Sequence, residues 1–301
     1  MILTVSLNAA LDVTYTVDDL QPHTTHRVRT VRTRAGGKGV NVSRVLHALG
    51  HSTVVTGLTG GDTGRAIRAE LAESDLPSAL VEIAAESRRT VAVVSGGDAT
   101  LFNEPGPAVT EAEWANFREH FAGLAPTASV VVLSGSLPPG LPPTAYRELL
   151  EIVNGHAPTV LDADGDALRH GLGGNPTAIK PNAAELRAVT GIADPATAAR
   201  ALVAGGAEAV LASGGPAGLL AITDEGSWRA RPPRRLAGNP TGAGDACVAA
   251  LAAGLAHGRE WPRILREAAA LSAAAVLHPQ AGSFDAGAYE RFLPTVMVEI
   301  A

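Results

Sequence analysis

At 301 residues the chain is long enough to bury the core of one large α/β domain. Its 46% hydrophobic and 18% charged residues are ordinary for a globular protein, and a net charge of −6 argues against a nucleic-acid surface, which would carry a basic face. With one cysteine, no signal-peptide pattern at the N-terminus and no apolar stretch of the ~20 residues that a membrane span needs, a cytosolic chain acting on a small molecule is expected.

Residues 2–7 are rich in β-branched side chains and read as a buried strand, which delivers the segment 8–12 to its C-terminal end, where open α/β sheets bind ligands. Asp12 there is either an acceptor for ligand hydroxyls or a solvated turn acid. From 14 to 33 polar and apolar residues alternate, the pattern of strands with one wet face. Arg27, Arg29, Arg32 and Arg34 are read mainly as that wet face, with an anionic ligand as the alternative.

The stretch Ala35-Gly36-Gly37-Lys38-Gly39-Val40-Asn41 is not a P-loop, because Gly39 follows the lysine where Ser or Thr is required and Arg32 stands at the first glycine position. No window matches G-x-G-x-x-G, so a dinucleotide fingerprint is also missing. Val42, Val45, Leu46 and Leu49 then mark one helix face and Gly50 its end. The glycines and Asn41 thus sit at a helix N-terminus, suited to hydroxyls or phosphate. Residues 54–58 read as a strand, and Gly60 to Gly64 lead into a helix with Asp62 near its start. Residues 90–94 and 100–103 read as a hairpin turning at 95–99; with 14–33 they would form a small β appendage that excludes water.

Trp114, Phe117, Phe121 and Leu124 have the spacing of a core-facing helical stripe. Residues 129–133, 159–162, 178–180 and 207–212 each read as a strand ending in a polar loop, with helices between, which predicts a mostly parallel sheet covered on both faces. Lys180, Asn182 and Glu185 at one strand end either serve phosphate and Mg²⁺ or cap a surface helix ending at Gly191. Residues 219–223 and 227–230 flank a hairpin turn. Leu265, Ala268, Ala269 and Ser272 suggest a last helix, and Cys247 reads as a small core residue. The histidines show no zinc spacing such as H-E-x-x-H.

The most informative stretch is Asn239-Pro240-Thr241-Gly242-Ala243-Gly244-Asp245, followed by an apolar helix. Glycines that admit a close ligand, an acid, and outward-pointing helix amides describe an anion site beside a proton acceptor, the makings of phosphoryl transfer.

Four segments occur in the order seen in the PfkB branch of the ribokinase-like sugar kinases: Gly36-Gly37-Lys38-Gly39-Val40-Asn41, Ser134-Gly135-Ser136-Leu137-Pro138-Pro139-Gly140, Lys180-Pro181-Asn182 with Glu185, and Gly242-Ala243-Gly244-Asp245. The chain resembles that family over nearly its whole length, and within it most resembles the phosphosugar kinases: 1-phosphofructokinase, tagatose-6-phosphate kinase and the minor 6-phosphofructokinase. The resemblance implies a ribokinase-like three-layer α/β/α sandwich with a mostly parallel central sheet, one domain over 1–301. A small β-sheet lid from about 14–33 and 88–103 would be inserted in it and would serve homodimerisation. It also implies transfer of the ATP γ-phosphate, with Mg²⁺, to a ketohexose phosphate, foremost fructose 1-phosphate.

By the same resemblance Asp245 matches the family's catalytic base and the amides of Gly242, Ala243 and Gly244 its anion hole. Asp12, Gly37, Asn41 and Ser136 would hold the sugar, while Arg27, Lys38 and Arg88 would face its phosphate. Lys180, Asn182 and Glu185 would serve ATP phosphates and Mg²⁺, the metal through water on Glu185, and Ser213, Gly214 and Gly218 would form the nucleotide loop. Thr90 stands where the phosphosugar kinases commonly have Asn, which leaves Arg88 and Arg89 both open as the inward residue. Asn8-Ala9 replaces the usual Asn-Pro. The competing expectations are a kinase for an unphosphorylated sugar or nucleoside, and a non-catalytic binding regulator; retention of Asp245 opposes the last.

Overall fold

The computed structural model describes every residue except Gly97, 233–235 and Ala237. Gly97 belongs to the turn expected at 95–99, so that part of the hairpin lies outside the described residues. The chain begins with β1 (Ile2–Ser6), β2 (Ala10–Thr16), β3 (Thr30–Gly36), α1 (Lys38–Ala48), β4 (Thr53–Gly60), α2 (Gly61–Glu73) and β5 (Ser78–Ile83). It continues with β6 (Arg88–Ser95), β7 (Asp98–Asn103), α3 (Glu111–Leu124), β8 (Val130–Ser134), α4 (Ala145–Val153), β9 (Thr159–Asp162), α5 (Gly165–Gly171) and β10 (Ala178–Ile179). The last part carries α6 (Ala183–Thr190), α7 (Pro195–Ala204), β11 (Ala209–Ser213), β12 (Leu219–Thr223), β13 (Ser227–Ala230), α8 (Ala243–Ala256), α9 (Trp261–Val276), α10 (Ala286–Phe292) and β14 (Val298–Ile300).

Ten strands form one sheet in the order β14-β13-β12-β11-β10-β9-β8-β1-β4-β5, parallel from β11 to β5 and antiparallel from β11 through β14. Every residue of β1 is buried, and its side chains alternate between two cores: Leu3 and Val5 face one side, Ile2 the other. Val131 and Leu133 of β8 join the first core, Val130 and Val132 the second. Such alternation of apolar side chains is what a strand needs when both faces are covered.

The first core is filled from α3 and α4 by Trp114, Phe117, Phe121 and Tyr146. The second is filled by α1, α8 and α9, where small residues allow close helix packing: a Cβ on Gly254 would lie 2.5 Å from Cγ1 of Ile264. Cys247 is buried in this layer, as expected for a small core residue. Because the parallel strands point the same way, their C-terminal ends bring Ser6, Ser134, Asp162 and Ser213 to one edge of the sheet.

A second sheet has the order β3-β2-β6-β7, with β2 and β6 parallel. Residues 8–12, expected as a loop after β1, are split: β2 starts at Ala10, because residues 10–16 pair with β3 on one side and β6 on the other. Asp12 is therefore a strand residue of the small sheet. The elements β5, α10 and β14 had no reading in the sequence; β5 is an edge strand with mixed exposure and β14 is only three residues long.

Phe117→Ala is expected to lower the unfolding free energy by about 3–5 kcal/mol, since it opens a cavity at a fully buried position. A urea midpoint equal to that of the unaltered protein would show that α3 does not hold this core.

Candidate active site

The turn into α8 is built around Gly242, whose φ of +87° is left-handed. A Cβ there would stand 2.8 Å from Cα of Ala281, so both conformation and space call for glycine. Of the amides named from the sequence, that of Ala243 donates to the Pro240 carbonyl at 3.1 Å. The amides of Gly242 and Gly244, and also that of Asp245, have no acceptor among the described residues. These orphan donors, at the positive end of a helix, form a ready anion site.

Asp245 lies in the first turn of α8, is buried, and accepts a 2.8 Å hydrogen bond from Nδ2 of Asn41 on α1. Burial, reinforced by the charge of Asp162, pushes its carboxyl up to about 6, against the Asn41 hydrogen bond and the charges of Lys38 and Lys180. A carboxyl poised there is largely ionised at neutral pH yet basic enough to take a proton.

Asp162, at the end of β9, is wholly buried between Nζ of Lys180 at 3.2 Å and Nζ of Lys38 at 3.4 Å, and accepts from Ser134 Oγ at 3.1 Å. Burial alone would raise its carboxyl, but Lys180, Lys38 and these hydrogen bonds hold it below the usual carboxylate range. Burial likewise pulls the Lys180 ammonium down, and the charge of Asp162 more than reverses this, so it stays protonated. The Lys180 ammonium is 3.6 Å from where a Cβ on Gly244 would be, which sets it beside the α8 N-terminus. Asp162 was read in the sequence only as a strand end; the available signal was an acid at the C-terminal end of a buried parallel strand.

On the small sheet, Arg88 pairs in register with Ala10 and Thr90 with Asp12, so Arg88, Thr90 and Asp12 share one face. Arg89 points to the other face, where its Nη2 donates to Thr63 Oγ1 at 3.4 Å. Burial pushes the Asp12 carboxyl up to about 6, opposed by Arg88, a Thr90 hydrogen bond, Arg34 and Arg44. Across the β2–β3 ladder Asp12 pairs with Arg34, and its carboxylate lies over the diagonal Gly36, where any Cβ would fall 2.0 Å from it. Gly37, with φ of +104°, turns the chain into α1 against Ser6 and Ala9. Ser136 Oγ accepts from Asn8 Nδ2 at 3.2 Å. Arg27 is exposed in the connection between β2 and β3 and has no salt bridge among the described residues. The ammonium of Lys38 is brought to Asp162 and Lys180, at the α8 side of the site.

On the far side, Asn182 is the N-cap of α6: its Oδ1 accepts from the amides of Ala184 and Glu185, while Glu185 Oε2 accepts from the Asn182 amide at 2.8 Å. Both side chains thus make a capping box, and the helix ends at left-handed Gly191. Asn182 also bridges to Ser213 at the end of β11. The next turn closes through the Gly214 amide to the Gly218 carbonyl at 2.8 Å, and Gly218 fits flush against the Ala230 carbonyl.

A buried acid beside orphan helix amides and a lysine pair, facing a second sheet with an arginine and an acid, is a layout for moving an anionic group onto a polyol. The profile of the pfkB family carbohydrate kinases matches residues 2–286. The chain belongs to that family. It is similar to phosphofructokinase-2 from Escherichia coli, solved in complex with potassium, at 29% identity and a TM-score of 0.92 over 97% of this chain and 98% of that one. It is also similar to a possible 1-phosphofructokinase from Thermotoga maritima, at 26% identity and a TM-score of 0.91 over 100% and 99%. Ribokinase from Arabidopsis thaliana, at 21% identity and a TM-score of 0.75, shares the fold, a large mostly parallel sheet with a separate small one. The pfkB chain described here is an ATP-dependent sugar kinase of the phosphofructokinase type.

Asp162→Asn should lower the unfolding free energy by about 3–5 kcal/mol, because it leaves the Lys180 ammonium buried without its counter-ion. Since folding depresses this carboxyl, its contribution is present above the ordinary carboxylate range and is lost as pH falls through the lower folded value. Urea unfolding at neutral and acid pH measures both, and equal midpoints for the two proteins at pH 7 would refute the pairing.

Proposed function

We propose that the acceptor is a ketohexose phosphate, foremost fructose 1-phosphate, which the enzyme converts to fructose 1,6-bisphosphate. The observation that carries a phosphorylated acceptor is Arg88. Its guanidinium is half-buried and donates only to neutral oxygens, the main-chain carbonyls of Asn8 and Glu104 and the Thr90 hydroxyl, with no salt bridge among the described residues. Asp12 and Glu104 lie near enough for their charges to favour this partly desolvated guanidinium but make no ion pair with it, which leaves it a receptor for phosphate.

In this reading Asp12, Gly37, Asn41 and Ser136 hold sugar hydroxyls, and Arg88 and Arg27 face the existing phosphate. Asp245 takes the proton of the attacking hydroxyl as its oxygen bonds to the γ-phosphorus and the bond to the ADP oxygen breaks. The free amides of Gly242, Gly244 and Asp245 receive the moving phosphoryl group, so the anion hole is shifted from Ala243 to Asp245 relative to the sequence expectation. Lys180 and Lys38, fixed by Asp162, supply positive charge beside it. Asn182, Ser213, Gly214 and Gly218 lie on the nucleotide side.

The donor set fits a Mg²⁺ held mainly by phosphate and water: among the described residues no three His, Cys, Asp or Glu converge, and Glu185 uses only Oε2 in its cap. Such an ion, near Glu185, would neutralise ATP phosphate oxygens. The exposed apolar Val31, Leu101 and Phe102 of the small sheet support its use as a lid and homodimer face, in a cytosolic enzyme.

A second acceptor, fructose 6-phosphate, is favoured by the similarity to the Escherichia coli phosphofructokinase-2, a structure of which holds fructose-6-phosphate. Tagatose 6-phosphate is the third. A coupled ADP-release assay across these sugar phosphates, ribose and adenosine should give the highest kcat/KM with fructose 1-phosphate. Turnover of ribose or adenosine alone would refute the reading.

Asp245→Asn should retain ATP binding and lose on the order of 10² to 10⁴ in kcat. In the unaltered enzyme only the ionised carboxylate accepts a proton, so kcat/KM should rise with pH through about 6 and then level. A flat profile between pH 5 and 8 would remove Asp245 from the proton transfer.

A further inference from the structure

We propose that Arg34 is a positioning residue that latches the small sheet to the connection between α9 and α10, and so aligns the catalytic base. The inference rests on the reading of Asp245 as that base. Arg34 lies near the end of β3, where the alternating pattern had marked it as part of a wet face. Its Nη1 instead donates to the Ala281 carbonyl at 3.0 Å and to Ser283 Oγ at 2.9 Å. These bonds tie the small sheet to a segment at the other end of the chain.

That segment touches both halves of the catalytic centre. Between the two acceptors lies Gly282, buried and left-handed with φ of +71°, and a Cβ there would be 2.8 Å from Asn41 Oδ1 and 3.3 Å from Arg44 Cδ. Asn41 is the residue that donates to Asp245. Ala281 meanwhile forms the wall against Gly242, the turn that carries the orphan amides. A displacement of 281–283 therefore disturbs the base and the anion site together, and Arg34 is the side chain of the small sheet that holds this segment.

The latch is not an incidental contact of a solvated arginine. Burial and the neighbouring charge of Arg44 oppose the guanidinium, with only Glu70 and Asp12 nearby in its favour. The directed hydrogen bonds offset that disfavour. Asp245 is faced by Asp162, Lys38 and Lys180 besides Asn41, and the Asn41 bond is the hydrogen bond that lowers its carboxyl. Loosening Asn41 must move the carboxyl upward.

The test uses the full chain with Arg34→Met, which keeps an apolar stem and removes the donors, and with Ser283→Ala, which removes one acceptor. The Asp245 carboxyl is titrated by ¹³C NMR of Asp-labelled protein, its signal assigned through Asp245→Asn. Arg34→Met should move the midpoint upward from about 6 and lower kcat about ten-fold, with the ATP KM within about two-fold; Ser283→Ala should do the same more weakly. Arg34→Lys, able to reach one acceptor, should restore part of the loss. An unmoved midpoint in both Arg34→Met and Ser283→Ala overturns the latch, as does reduced stability without a midpoint shift. If Arg34→Met does not fold, Ser283→Ala alone decides. The NMR arm needs no turnover, so failure of the sugar-kinase reading would appear separately, as absent activity with the midpoint shift intact.

Discussion

A carboxylate cut off from water and held between two ammonium groups is the constraint around which the α8 side of the site is arranged. Asp162 has no exposed surface, so its charge is tolerable only while Lys180 and Lys38 stay within reach. The strand order serves that need: β9 and β10 are neighbours, which places Asp162 beside Lys180, and α1 carries Lys38 in from the turn after the small sheet. Once fixed, the lysines become a permanent positive feature at the N-terminus of α8, where the helix adds its own orphan amides. Little reorganisation is then needed when negative charge arrives.

Asp245 experiences the opposite balance. It is buried next to a like charge, and one amide from Asn41 together with the two lysines only partly compensates, which leaves its carboxyl near 6 while Asp162 is driven down. Two buried acids within one cluster are thus set apart by their surroundings: one is a fixed counter-ion, and the other is poised near neutrality, as the proposed proton acceptor must be. Asp12, on the second sheet, is also raised by burial, but its partners there are arginines and a threonine suited to holding a ligand in place.

Much of this was legible in the sequence, and the failures have physical causes. The apolar runs gave the parallel strands, and Gly242 to Asp245 marked the α8 N-terminus, because glycine conformation and helix amides are local properties. The place of Asp12 was not local: it is a strand residue because β6, far along the chain, pairs with β2. The importance of Asp162 depends on complete burial, which a four-residue strand does not announce. Asn182 and Glu185 fitted both a capping box and a phosphate site; the box is present, and it leaves one Glu185 oxygen for other uses. Arg34 was hidden by the alternation itself, since a regular polar–apolar pattern cannot tell an arginine in water from one that reaches another segment. Whether Arg88 or Arg89 turns inward needed only the β2–β6 register.

That register also has a temporal side. A parallel pair in which Ala10 meets Arg88 cannot form while the chain is growing until β4, α2 and β5 have been made and a large loop has closed. The strands β1, β4 and β5 of the central sheet are therefore synthesised before the Asp12–Arg88 face can close, and the Arg34 contact must wait still longer, for residues 281–283 to emerge. Because β8 to β13 follow β6 in the chain and β14 follows residues 281–283, the main sheet is completed last, and a ribosome-bound fragment short of 281–283 could hold the Asp12–Arg88 face but not the Arg34 contact.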